Sequence, residues 1–177
     1  MEIKITIPRA QLGDLIPSSQ TVAEAMGQGV FDLVKGHLAA RDKRPSRRSG
    51  FPKSHYWAEA ATTVHGPTVS GSTATIEIDK EGVALHYYGG TVKPNKAKAL
   101  AIPISPLVAD IWPREAPDNL DLFWPKNSSH GFLKDSNTSE LLYLLVPQVT
   151  IPADPTVLPE EGKLADAALA ETKRFLK

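Results

Sequence analysis

Apolar and polar residues alternate strictly at the start of the chain. Ile3, Ile5 and Ile7 fall on one side and Glu2, Lys4 and Thr6 on the other, which is the period of a half-buried strand, and Pro8 ends it. The period then changes. Thr21-Val-Ala-Glu24 reads as a capping box, in which hydroxyl and carboxylate satisfy free backbone N–H groups. Val22, Met26, Val30, Leu33, Val34 and Leu38 fall on one stripe of a helix running to about residue 41. Gly27, Gly29 and Gly36 each weaken that helix by roughly 1 kcal/mol relative to Ala, which points either to close packing against another backbone or to a soft helix.

A basic loop over residues 41–53 follows, then a short helix over 54–64 with Ser54 as its N-cap and Trp57 and Ala61 stacked one turn apart. Strand patterning returns at residues 63–70, interrupted at Gly66-Pro67, and at Thr73–Ile78, where Ala74, Ile76 and Ile78 share a face. Asp79-Lys-Glu-Gly82 is a turn, with Gly82 suited to a positive φ. Residues 83–88 and 98–104 read as two further strands flanking a loop that is Gly-rich at its start and Lys-rich towards its tip. The expected product is an antiparallel meander with a long projecting hairpin, its loop at 89–97.

Beyond a Pro-rich stretch at 105–120, residues 120–124 and 131–134 predict a small hairpin around Lys126-Asn-Ser-Ser129. Residues 140–146 are the most apolar run and read as a central strand. Residues 149–155 extend outward, and Pro159 suits the first turn of a last helix. Glu160 and Glu161 stand at that helix's positive end, and Lys173, Arg174 and Lys177 at its negative end. Leu164, Ala168 and Phe175 form a thin apolar stripe, so this helix docks on its own body or on a neighbouring subunit. The fold class expected is α+β: an antiparallel sheet packed against an N-terminal helix, with a Pro-rich C-terminal arm and terminal helix over 152–177. With 177 residues, the chain is long enough for a single domain spanning 1–177.

Composition narrows the chemistry. Lys plus Arg and Asp plus Glu both number 20, which argues against a wholly basic nucleic-acid binder but leaves room for a local patch. There is no cysteine, which removes disulfides, thiolate metal sites and a Cys nucleophile. The alternating start is not that of a signal peptide, which needs a continuous apolar stretch. No run approaches 18 apolar residues, so no membrane span is expected.

No catalytic constellation stands out. His37, His55, His65, His86 and His130 fall in no metal-binding spacing. Gly71-Ser-Thr is not a nucleophile elbow, and Gly89-Gly90 lacks the Lys of a phosphate loop. Neither catalytic, cofactor-binding nor metal-ligating residues are expected, nor any cofactor. The strongest candidate site is basic: Arg41, Lys43, Arg44, Arg47, Arg48 and Lys53 would make a phosphate-binding strip, with Phe51, Tyr56 and Trp57 near enough to stack on bases. The balanced total charge favours solvent or an acidic partner subunit over DNA for this strip.

Several segments in order resemble the virion morphogenesis (tail completion) family of tailed phages and prophages. They are Gly50-Phe-Pro-Lys-Ser-His-Tyr-Trp-Ala-Glu-Ala-Ala, Gly71-Ser-Thr-Ala-Thr-Ile-Glu-Ile, Gly82-Val-Ala-Leu-His-Tyr-Tyr-Gly-Gly-Thr-Val-Lys-Pro with Lys98-Ala-Leu-Ala-Ile-Pro, and Tyr143-Leu-Leu-Val-Pro-Gln-Val-Thr-Ile-Pro-Ala-Asp-Pro-Thr-Val-Leu-Pro. The resemblance runs from about residue 50 to the end. It implies a non-enzymatic structural protein at the head–tail junction or tail end, a ring-forming tail terminator or neck subunit. By analogy with tail-terminating rings the homo-oligomer would be hexameric. Other tail or connector proteins would be its partners, with transient contact with phage DNA in the channel. It would be assembled in the bacterial host cytoplasm and located in the virion, with no membrane contact. Gly89 and Gly90 would shape the hairpin, while Val92, Pro94, Lys96 and Lys98 present its tip to a neighbouring subunit. The alternative is a nucleic-acid-binding module using the basic loop 41–53.

Overall fold

Ser18 opens the longest element, helix α1 (Ser19–Asp42). Its Oγ accepts the Thr21 N–H at 3.1 Å and lies 2.6 Å from the Thr21 hydroxyl. The cap therefore falls three residues ahead of the capping box expected at Thr21, because a serine facing N3 satisfies a free donor just as well. The computed structural model describes residues 5–6 (backbone only), 18–43, 50–116 and 119–176. These fall into two compact units. One comprises Met1–Arg44, His55–Gly89 and Pro152–Lys177, the other Pro45–Ser54 and Gly90–Ile151.

In the first unit α1 packs on a three-stranded antiparallel sheet of order β1-β3-β2, built from β1 (Ile5–Thr6), β2 (Val64–Ser70) and β3 (Thr73–Ile78). The expected N-terminal strand thus forms, though Ile3 and Ile7 lie outside the described residues. The helical stripe buries as its spacing requires: Val30, Val34 and Leu38 are fully enclosed. Two of the three glycines explain themselves. A Cβ on Gly27 would lie 2.6 Å from Pro67 Cβ and 2.8 Å from Ala74 Cβ, and one on Gly29 would lie 2.4 Å from the carbonyl oxygen of Ala167. So α1 meets the sheet at Gly27. At Gly29 it meets α4 (Glu161–Phe175). The terminal helix accordingly docks on its own body, through Ala168 and Thr172, while Phe175 of the expected stripe is 51% exposed. Pro159 stands just ahead of this helix rather than in its first turn.

Two further helices complete this unit. Helix α2 (Tyr56–Thr62) has His55, in a left-handed conformation (φ 50°) and without a side-chain cap, at its N-cap position in place of Ser54. Residues 83–88, expected as a strand, form helix α3 (Val83–Tyr88). Adjacent Val83 and Ala84 are both buried, and Tyr87 packs on the same core. That is a helical i, i+1, i+4 stripe, incompatible with the alternation of a strand. Gly82 and Gly89, at φ 88° and 74°, bracket the helix. In a run of six residues the two periods are hard to separate, and burial decided between them.

The second unit holds two sheets. In the first, β4 (Gly90–Val92) pairs antiparallel with β9 (Val149–Ile151). The second is a four-stranded antiparallel sheet of β5 (Leu100–Pro103), β6 (Leu120–Phe123), β7 (Gly131–Asp135) and β8 (Leu141–Val146), in the order β5-β8-β7-β6. The expected β6–β7 hairpin and interior β8 are present. The projecting hairpin is not formed by the segments expected: one arm is helix α3, and the strands on either side of residues 93–99 pair with β9 and β8 instead of with each other. Main-chain groups on β4 and β5 find their partners in β9 and β8 respectively.

The core of this unit gathers Val108, Leu142 and Tyr143 with Ala101, Leu120 and Leu133. Leu142 and Tyr143 are sequence neighbours, yet both are buried in it. A register shift between Leu133 and Lys134 against β8 marks a bulge at that place, and a bulge lets two successive residues face the same side. The Tyr143 hydroxyl donates to the Ile111 carbonyl at 2.8 Å, holding the Pro-rich stretch to the sheet. The α+β class, the helix-on-sheet packing and the terminal helix after a Pro-containing turn are all present.

Candidate functional site

Arg41, the first residue of the expected phosphate-binding strip, continues the buried stripe of α1 one turn beyond Leu38. It is only 9% exposed. Nη1 donates to the carbonyl and hydroxyl oxygens of Thr156 at 3.1 and 3.0 Å, and Nη2 pairs with Asp154 Oδ2. The guanidinium lies over the Trp57 ring, 4.6 Å from its centre, a favourable cation–π arrangement. One turn earlier, His37 Nε2 lies 2.9 Å from the same Thr156 carbonyl. Asp154 N–H donates to the His86 carbonyl at 2.9 Å, tying in α3. The Asp154 carboxylate also accepts from the Thr156 backbone and hydroxyl, the capping pattern of the 3-10 turn Pro155–Val157.

This knot has consistent electrostatics. The Thr156 hydroxyl, and then Arg41, hold the Asp154 carboxyl down at about 2, against a smaller opposing effect of burial. Burial, and then the Arg41 charge, push the His86 imidazole below its ordinary value. Both terminal nitrogens of Arg41 are committed inside the protein, so its role is to anchor the arm that carries Asp154 and Thr156. The stripe spacing from Val34 through Leu38 to Arg41 was the sequence signal for its burial. Nothing local marked Asp154 and Thr156 as its partners.

The rest of the strip is scattered or not described. Lys43 is an exposed residue at the end of α1, Lys53 is exposed in the second unit, and Arg44, Arg47 and Arg48 lie outside the described residues. Tyr56 and Trp57 pack edge to face with centres 4.9 Å apart and belong to the first unit's core. The Tyr56 hydroxyl is engaged by the Glu81 carbonyl at 2.7 Å. Burial, and then Glu81, push that phenol up to about 12. Among the described residues no three His, Asp or Glu side chains converge as a metal site would need, and no helix is long and apolar enough to cross a membrane.

The residues expected at a subunit contact divide by role. Gly89, at φ 74°, closes α3, and Gly90 starts β4. Val92 is half-buried opposite Val149, and Pro94 is half-buried. Lys96 and Lys98, with Lys93, stand exposed on the β4–β5 connection, and none has an ion-pair partner among the described residues. The signal that sequence reading missed is apolar. Among the described residues twelve large hydrophobic side chains are exposed, and eight of them belong to the second unit, including Leu107 at 70%, Trp112 at 65% and Leu122 at 65%. Trp124 closes the β6–β7 turn by donating to the Ser128 carbonyl at 2.9 Å and lies where a Cβ on Gly131 would be, 2.2 Å away. Comparison with protein-family models, with curated proteins and with solved structures returns no match.

Proposed function

We propose that this protein is a structural subunit of a tailed-phage virion, acting without catalysis in a ring that completes the tail or joins it to the head. The observation that carries the reading is the concentration of exposed apolar side chains on the second unit. Exposed apolar side chains concentrated on one unit suit a contact with another macromolecule. The ordered motifs from Gly50 to the Pro-rich arm supply the virion context, with other tail or connector proteins as partners.

Charge supports head-to-tail contacts. The second unit carries nine Lys and Arg against six Asp and Glu, and the first carries eleven against fourteen. A chain neutral as a whole is therefore polar by unit, and the basic unit of one copy complements the acidic unit of the next. Heterologous contacts of this kind close into rings when the rotation permits.

The test is native mass spectrometry of the purified protein, followed by electron microscopy of virions carrying a tagged copy. A closed ring and a label at the tail end or neck are expected. A monomer at micromolar concentration, or virions without the label and assembled normally in its absence, would overturn the reading.

A further inference from the structure

Strand β6 forms one edge of the four-stranded sheet, and no described strand lies along its outer side. The phase of its hydrogen bonds can be read from the ladder. Ser136 N–H donates to the Asn119 carbonyl at 2.8 Å, and the register continues through Leu120 with Asp135, Asp121 with Lys134, Leu122 with Leu133 and Phe123 with Phe132. Bonded and non-bonded pairs alternate in an antiparallel ladder. Asp121 and Phe123 therefore bond to β7, and the N–H and C=O of Leu122 point away from the sheet.

Open edges are ordinarily blunted by Pro or Lys. The opposite edge, β5, carries Pro103, and the edge strand β2 of the other sheet carries Pro67. Strand β6 carries neither. Apart from Asp121 and the half-buried Leu120, its residues and the one after it are apolar and exposed: Leu122 is 65%, Phe123 46% and Trp124 49% exposed.

We propose that β6 pairs antiparallel with β6 of a second copy, across a two-fold axis at Leu122, to make one continuous eight-stranded sheet. The strand is its own complement. With Leu122 opposite its counterpart, the outward N–H and C=O of the two residues satisfy each other reciprocally, and the two exposed leucines cover one another on one face. Asp121 then stands opposite Phe123 of the second copy, not opposite a like charge, and keeps Lys134 across from it on β7. An isologous contact of this kind uses the same patch twice, and main-chain pairing supplies its specificity of register. It goes beyond the head-to-tail ring and does not depend on it.

The variant Leu122→Pro removes an N–H that no described strand uses, so β6 keeps its ladder with β7. Sedimentation equilibrium should show an even-numbered assembly for the wild type and half that mass for the variant. Hydrogen exchange on the wild type gives a second readout that does not depend on the variant folding: the Leu122 amide should gain protection as concentration rises. Equal masses for the two proteins, or a Leu122 amide that stays unprotected in an assembled sample or is protected in a monomer, would overturn the contact. A ring of unchanged subunit number in Leu122→Pro overturns this contact while leaving the ring standing, and a monomeric wild type overturns both.

Discussion

Arg41 shows how much one buried charge decides at the scale of a residue. Its counter-charge, Asp154, comes from the C-terminal arm, and its stacking partner, Trp57, from α2. Asp154→Ala should leave an almost fully buried guanidinium without its carboxylate. A cost of about 2 kcal/mol is expected, below that of a wholly buried pair because water reaches the site of Asp154. Urea unfolding measures it, and Arg41→Met combined with Asp154→Ala should recover part of the loss. The pH dependence follows from the direction of each shift. Asp154 titrates at about 2 in the folded protein against 3.8 ordinarily. Its contribution is complete above about pH 4 and is lost as pH falls towards 2. His86 is held below its ordinary 6.5, so the fold favours its neutral form and stability begins to fall as pH drops below about 6.5. Unfolding midpoints across pH 2–7 should show both phases in the wild type, and Asp154→Ala should lack the lower one.

Among the elements, α1 is held where side chains are missing. Gly29→Ala would push a methyl into the Ala167 carbonyl of α4, whereas Gly36 has nothing within 4 Å. Gly29→Ala should destabilise by about 1–3 kcal/mol through forced separation of the two helices. Gly36→Ala should stabilise by up to about 1 kcal/mol, through helix propensity alone. Thermal unfolding of the pair checks the assignment, and equal effects would contradict it. Several elements were legible in advance: α1 through a stripe repeated over 24 residues, β3 through strict alternation, the β6–β7 hairpin through its turn residues, and the interior β8 through its unbroken apolar run. Helix α3 was not, since Val83 to Tyr88 is too short to separate a period of 2 from one of 3.6. Its identity was set by burying Val83, Ala84 and Tyr87 together. The bulge in β8 was likewise invisible, because nothing in Leu142-Tyr143 distinguishes two inward residues from one.

At the scale of the molecule, the lysines on the β4–β5 connection and the apolar surface of the second unit make separable contributions. Changing Lys93, Lys96 and Lys98 together to Ala touches exposed side chains with no ion pair among the described residues, so stability should stay within about 0.5 kcal/mol of the wild type. Assembly should weaken and lose most of its dependence on ionic strength, because exposed charge contacts are screened over a Debye length. Light scattering at low and high salt reads both effects. An assembly unchanged in size and salt response would remove these lysines from the contact.

The sequence by itself determined the α+β class, the length and buried stripe of α1, the placement of most strands and the absence of thiol chemistry. Each of these depends on a local period or on composition, and a local signal survives without knowledge of neighbours. Tertiary structure alone decided which strands pair across the long separations from β4 to β9 and β5 to β8, that residues 83–88 coil rather than extend, and that Arg41 binds Asp154 rather than a phosphate. The strand pairings and the Arg41 contacts depend on partners 40 or more residues away, and the coiling of residues 83–88 on a core drawn from several elements. The chain's own pattern states that such a group must be satisfied, and only the fold states by what.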